Sequence, residues 1–162
     1  MSAELTPWME DKLAELLRFA DRSGIRAEVV STRRSCAEQN AIYAGGVATQ
    51  ARGCQSWHVW GRAADLRLYG PVSNYALLGE KWKEMGGVWG GDFLVHGSPD
   101  PGHFEWHPGL KISDVCPDPD VCPAAGDWPE DRPLFARPAV RWVFGALIAA
   151  VGITLARRVL TG

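Results

Sequence analysis

Ser56-Trp57-His58-Val59-Trp60-Gly61-Arg62-Ala63-Ala64-Asp65 is the stretch on which the reading of the chain turns. Ala63 to Tyr69 (AADLRLY) alternates apolar and polar positions, the period of a half-buried strand. His58 therefore sits in a loop, and Asp65 follows seven positions later inside the strand. A neutral imidazole and a carboxylate are both good zinc ligands. All four histidines fall between residues 58 and 107, so a third ligand is near in sequence. Ser98-Pro99-Asp100-Pro101-Gly102-His103-Phe104-Glu105-Trp106-His107 offers His103 and His107, with two acids beside them.

Working outward, residues 7–22 read as a helix. Thr6 can cap it, Pro7 suits the first turn, and Leu13, Leu16, Leu17 and Ala20 share one face. Arg26 to Thr32 reads as a strand. Ser35 and Glu38 have capping-box spacing, which opens a short helix that stops at Gly45-Gly46. A polar loop runs from Val47 to Ser56. Ser73 or Asn74 starts a further helix that ends near Gly86-Gly87, and short strands are expected around Val88-Trp89 and His103-Trp106. The fold class expected is α+β: a small, mostly antiparallel sheet flanked by helices, with a zinc site, plus a C-terminal apolar helix.

Composition bounds the function. The chain has 162 residues and a formal net charge of -2, so a protein that grips nucleic acid by its phosphates is not expected. Eight Trp in so short a chain mean large, specific packed surfaces. Residues 1–12 lack a basic n-region and an apolar h-region, so no signal peptide is expected there. Cys36, Cys54, Cys116 and Cys122 form no CxxC pair. Cys116 and Cys122 lie close together in a Pro/Asp loop, which suits a local bridge and leaves Cys36 for Cys54. Four cysteines permit three pairings, and free thiols stay open as well. Bridges would place the domain in an oxidising compartment.

The composition changes after about residue 112. Residues 1–112 are expected to be the compact domain, 113–138 an acidic Pro-rich linker, and 139–160 an apolar helix. Trp142 to Ala156 carries no charge. That is short of the about 20 residues of a usual membrane span, but Arg141 and Arg157 can snorkel and lengthen it. Gly145, Ala149, Gly152 and Ala156 share one face, through which two such helices can approach as a homodimer. A buried helix of the soluble domain is the competing reading of the tail.

The order Ser56-x-His58-x-x-Gly61-x-Ala63-x-Asp65, followed by Asp100-x-x-His103, resembles the zinc D-alanyl-D-alanine carboxypeptidases and L-alanyl-D-glutamate endopeptidases of peptidoglycan, phage endolysin-type members included. Arg34-Ser35-x-x-x-Gln39, Tyr43 and Gly45 extend the likeness upstream, and Trp89-Gly90-Gly91-Asp92-Phe93 extends it downstream. The resemblance implies one zinc ion on His58, Asp65 and His103. It implies Asp100 as general base and Arg34 as the cation that steadies substrate or the developing oxyanion. Arg34, Gln39, Ser56 and Trp57 are the implied substrate contacts. The implied reaction is hydrolysis of an amide in the stem peptide, through zinc-bound water and the carboxylate base. Asp rather than Glu as base leans towards an endopeptidase, and Arg33 stands where an aromatic is common.

Other roles compete for several residues. His107 is an alternative ligand to His103. Glu105 is an alternative base, or else orients a ligand from behind. His96 reads as a groove or loop residue. A non-catalytic zinc module that binds cell-wall peptides or a protein is the alternative function. The expected location is the membrane, through the C-terminal helix, with the catalytic domain facing the wall. A phage enzyme would instead stay cytoplasmic until lysis.

Overall fold

A computed structural model describes residues 5–46 and 48–123. The first helix, α1, spans Pro7–Arg22, and the Thr6 hydroxyl accepts a hydrogen bond from the Met9 amide at 3.3 Å. Strand β1 is Arg26–Ser31, and α2 is Cys36–Ala44, with both halves of the Ser35/Glu38 capping box formed. A 3-10 turn at Gly53–Gln55 leads to β2, Ala63–Tyr69. Then come α3 (Ser73–Glu84), β3 (Val88–Trp89), a 3-10 turn (Gly90–Asp92), β4 (Leu94–Val95), β5 (Ser98–Pro99), β6 (His103–Glu105) and the short α4 (Ile112–Val115).

The main sheet has the order β1-β2-β6-β3, and each of its pairings is antiparallel. The fold is α+β, as the sequence reading expects. One sheet face is apolar. Ala64, Leu66 and Phe104 point into a core closed by Met9, Leu13, Leu16 and Ala20 of α1 and by Leu78 and Trp82 of α3. The alternation of β2 and β6 then turns Asp65, His103 and Glu105 to the opposite face. Register completes the arrangement: Asp65 pairs with His103, and Ala63 with Glu105. Trp82 is fully buried, meets Phe104 and Trp106 edge-on, and donates its indole N–H to the Glu105 carbonyl at 2.8 Å.

A second, smaller core lies under the loop that carries His58. It contains Cys54, Trp57, Trp60, Ala63, Leu110 and Cys116. The cysteine pairing differs from the local bridge suggested by spacing: Cys36 joins Cys122, and Cys54 joins Cys116. The cause is the path of residues 112–123, which run back across α2 and the Gly53–Gln55 turn. Cys116, at the end of α4, reaches the buried Cys54. Cys122 then reaches the first residue of α2. Arg52 and Asp120 form an ion pair at 3.1 Å along the same strap. The described part of the segment expected to begin a linker is therefore bonded to the domain.

The expected apolar helix at 139–160, its dimer face and the rest of the linker lie outside the described residues. Among the described residues, no helix is long and apolar enough to cross a membrane.

The strap gives a stability prediction. A bridge closing a loop of 62 residues restricts the unfolded chain by about 4 kcal/mol in the chain-entropy picture. Cys54→Ala/Cys116→Ala should lower stability by about 2–4 kcal/mol, read as a lower guanidinium midpoint. An unchanged midpoint would mean that this bridge adds nothing to the hold that Cys36–Cys122 already gives the strap.

Candidate active site

Three side chains converge on the polar face of the sheet. His58 Nε2 lies 3.2 Å from Asp65 Oδ1 and 3.3 Å from His103 Nδ1, and His103 Nδ1 lies 2.9 Å from Asp65 Oδ1. Donors on one tetrahedral zinc, each about 2.0–2.1 Å from the ion, lie about 3.3 Å from one another. The triangle has the size of one face of such a site. His58, Asp65 and His103 can thus hold one metal ion, and the two-imidazole, one-carboxylate set suits zinc.

The partners behind the ligands fix which ring nitrogens face the site. His58 Nδ1 meets the Thr32 carbonyl oxygen, which can only accept, so the ring donates there and Nε2 keeps its lone pair. His103 Nε2 meets Glu105 Oε1 at 2.8 Å and donates to it, which leaves Nδ1 for the ion. The other Glu105 oxygen takes a bond from His107 Nε2 at 3.0 Å. His107 lies flat on Trp57, with ring centroids 4.2 Å apart. His107 is therefore not a ligand in this arrangement. Glu105 stands behind His103 and sets its orientation, as the second of its two expected roles requires.

Burial by itself would raise the Asp65 carboxyl and lower His103. Their mutual hydrogen bond, with His58 and Glu105 beside it, reverses both effects. Asp65 is held well below the usual carboxylate range, and His103 is pushed up to about 9. Glu105 is likewise drawn down to about 2 against its burial, by His103 and His107. Asp100 behaves differently. Its burial raises it, and the negative Asp65 adds to the rise, while His103, His58 and Arg34 oppose it.

The ligands floor a cleft of about 500 Å³. Asp100 reaches it from the turn before β6. That turn packs so tightly on Gly90 that a Cβ there would lie 2.3 Å from the Asp100 carbonyl oxygen. Arg34, Ser56 and Trp57 also line the cleft. Arg34 holds Asp65 Oδ2 through Nη2, and bonds Gln39 at 3.2 Å and Ser31 at 3.2 Å. Gln39, expected to contact substrate, is fully buried beneath the cleft wall instead. Its amide donates to the Ala51 carbonyl at 2.7 Å and to the Thr49 hydroxyl at 3.3 Å. The walls themselves, residues 48–51 and the β4–β5 hairpin, were not foreseen. The signal available was Val95-His96-Gly97-Ser98, whose His-Gly centre can form a tight turn with φ of 50° and 83°.

Three indoles peg the backbone around this cleft. Trp60 donates to the Cys54 carbonyl at 2.7 Å, and Trp89 to the Pro101 carbonyl at 2.9 Å, in addition to the Trp82 bond to Glu105. The loop bearing His58, the turn bearing Asp100 and the strand bearing His103 are each held this way.

No family model matches the chain. The solved structures that share its fold include two peptidases. One is a mutant of the vancomycin resistance D,D-pentapeptidase VanY from a VanB-type resistance cassette, in complex with Zn(II). It is 19% identical with a TM-score of 0.52, over 73% of this chain and 80% of that one. The other is the LdcB LD-carboxypeptidase, whose structure bears on peptidoglycan recognition. It is 18% identical with a TM-score of 0.52, over 70% of each chain. The structural neighbours are thus peptidoglycan peptidases, one of them a Zn(II) complex. At these identities, what is shared is the fold.

The metal-free site holds a proton on His103 Nδ1 below about pH 9, because the raised pKa keeps the ring charged there. The ion needs that lone pair, so zinc addition at pH 7 should release about one proton, and affinity should fall as pH falls. Titration calorimetry in buffers of different ionisation enthalpy measures the number, and no release would contradict a protonated His103 in the metal-free protein. Removal of the supporting carboxylate by Glu105→Ala should weaken zinc binding about 10–100-fold in a chelator competition.

Proposed function

We propose that this chain is a zinc-dependent peptidase that hydrolyses an amide bond in the peptidoglycan stem peptide. The observation that carries this reading is the meeting of three oriented metal donors with Asp100 in one cleft. Three protein donors, rather than four, are the number found in catalytic zinc sites. The fold shared with VanY and LdcB supports the substrate class.

The chain's own residues divide the work. His58 Nε2, Asp65 Oδ1 and His103 Nδ1 would hold the ion. When bound there, zinc supplies a Lewis acid that polarises a carbonyl oxygen and makes water more acidic. Asp100 takes a proton from the attacking water and passes it to the leaving nitrogen. The C–N bond breaks; the water oxygen stays on the acyl carbon, and its protons are shared between the two products. The raised Asp100 carboxyl suits a group that must keep a proton between those two events. Arg34 presents its positive charge to the cleft while it steadies Asp65. With five N–H groups, it can do both. Ser56 and Trp57 form the substrate-facing wall beside His58.

The two disulfides fit a domain that works in an oxidising place, next to the wall. The uncharged stretch from Trp142 to Ala156 supports an anchor on the membrane, by its sequence alone.

Purified protein with zinc should release new termini from peptidoglycan, identified by mass spectrometry of muropeptide products. Asp100→Asn should lose at least about 100-fold in kcat while it still binds zinc. His103→Ala should lose the zinc as well. Full activity of the Asp100 variant would sink the mechanism.

A further inference from the structure

The two walls of the cleft are joined. On one side stand residues 48–51, and on the other Phe93, Leu94 and Val95. His96, next to Val95, donates its ring Nε2–H to the Thr49 carbonyl at 3.1 Å, a contact between residues 47 apart in the chain. The carbonyl oxygen can only accept, which fixes the direction of the bond. His96 is also the one non-glycine residue with positive φ among the described residues. Its conformation, 50°, belongs to the tight β4–β5 turn, and it carries the ring back to the opposite wall.

The far wall is itself anchored. Thr49 and Ala51 take their bonds from the buried Gln39, which accepts one from Arg34, and Arg34 holds the metal-site carboxylate of Asp65. A continuous line of hydrogen bonds therefore runs from Asp65 to the hairpin tip. The bridge is not a loose contact between two free loops: one end rests on the site.

We infer that His96 is a specificity-determining residue that makes this cleft load peptides end-first. A groove open along its length accepts the middle of a polymer laid in from the side. A groove whose walls are tied together resists that entry and takes a free chain end. This inference rests on the peptidase reading above and sharpens it. It favours a free stem peptide, such as a pentapeptide ending in D-Ala-D-Ala, over a stem peptide cross-linked on both sides. A single hydrogen bond at the surface sets the scale: the preference it enforces is about fivefold.

The test uses the zinc-loaded full chain with two probes, a soluble stem pentapeptide and purified cross-linked peptidoglycan. The quantity read is the ratio of their initial rates in the parent protein, His96→Gly and His96→Gln. Glycine keeps the turn and removes the bridge. Glutamine places its amide nitrogen where the imidazole Nε2 stands and offers an N–H to Thr49. The glycine variant should shift the ratio about fivefold towards the cross-linked probe. The glutamine variant should stay near the parent. Equal ratios in all three proteins overturn the inference, as does a glutamine variant that behaves like glycine.

A binding arm separates this inference from the peptidase reading. It measures affinities of the pentapeptide and of a cross-linked muropeptide dimer for the same three proteins. Cleavage with no shift in either ratio removes the role of His96 and keeps the peptidase. A binding shift without any cleavage keeps the bridge and removes the peptidase. Neither binding nor cleavage overturns both.

Discussion

One rung of an antiparallel ladder carries the site. Asp65 on β2 and His103 on β6 are register partners, so their side chains leave the same face of the sheet side by side. A slip of β6 by one residue would turn His103 into the apolar core and leave Phe104 in the cleft. The packing beneath prevents it. Ala64, Leu66 and Phe104 are committed to α1 and α3, and Trp82 locks the β6 backbone through the Glu105 carbonyl. The register of the metal ligands is thus enforced from the opposite face of the sheet, by residues that never touch an ion.

His58 reaches the rung from a loop, and a loop must be held to be precise. The second core, the Trp60 bond to Cys54 and the Cys54–Cys116 bridge provide that restraint. The electrostatics add direction. Thr32 and Glu105 behind the two imidazoles, with Arg34 behind Asp65, turn each donor atom inward. Among the described residues, Asp100 has no such hydrogen-bonded partner. Burial and the neighbouring Asp65 charge push its carboxyl up, whereas Asp65 itself is held down by its histidine partners.

Much of this was legible in the chain. Local signals with a local cause held: the Thr6 cap, the Ser35/Glu38 box and the alternation from Ala63 to Tyr69 all appear where the sequence places them. The ligand set was legible through the resemblance, because His58, Asp65 and His103 stand in the order of a known pattern. The role of Glu105 behind a ligand was legible as one of two options. Gln39 was misplaced because a sequence position on α2 says nothing about which side of a wall it lies on. The His96 bridge was missed because its partner, Thr49, lies in an irregular loop with no periodicity to read.

The sequence by itself determined which side chains have the chemistry to hold an ion, and its match to a known pattern singled out His58, Asp65 and His103 among them. It also determined α1, α2 and α3, whose hydrogen bonds and caps are made between near neighbours. Only the tertiary structure decided the cysteine pairing, because Cys36–Cys122 and Cys54–Cys116 depend on residues 112–123 crossing back over α2. It also decided which nitrogen of each imidazole faces the site, and that the two cleft walls are tied together. Each of these depends on atoms brought close from distant parts of the chain, and no local energy term specifies such contacts in advance.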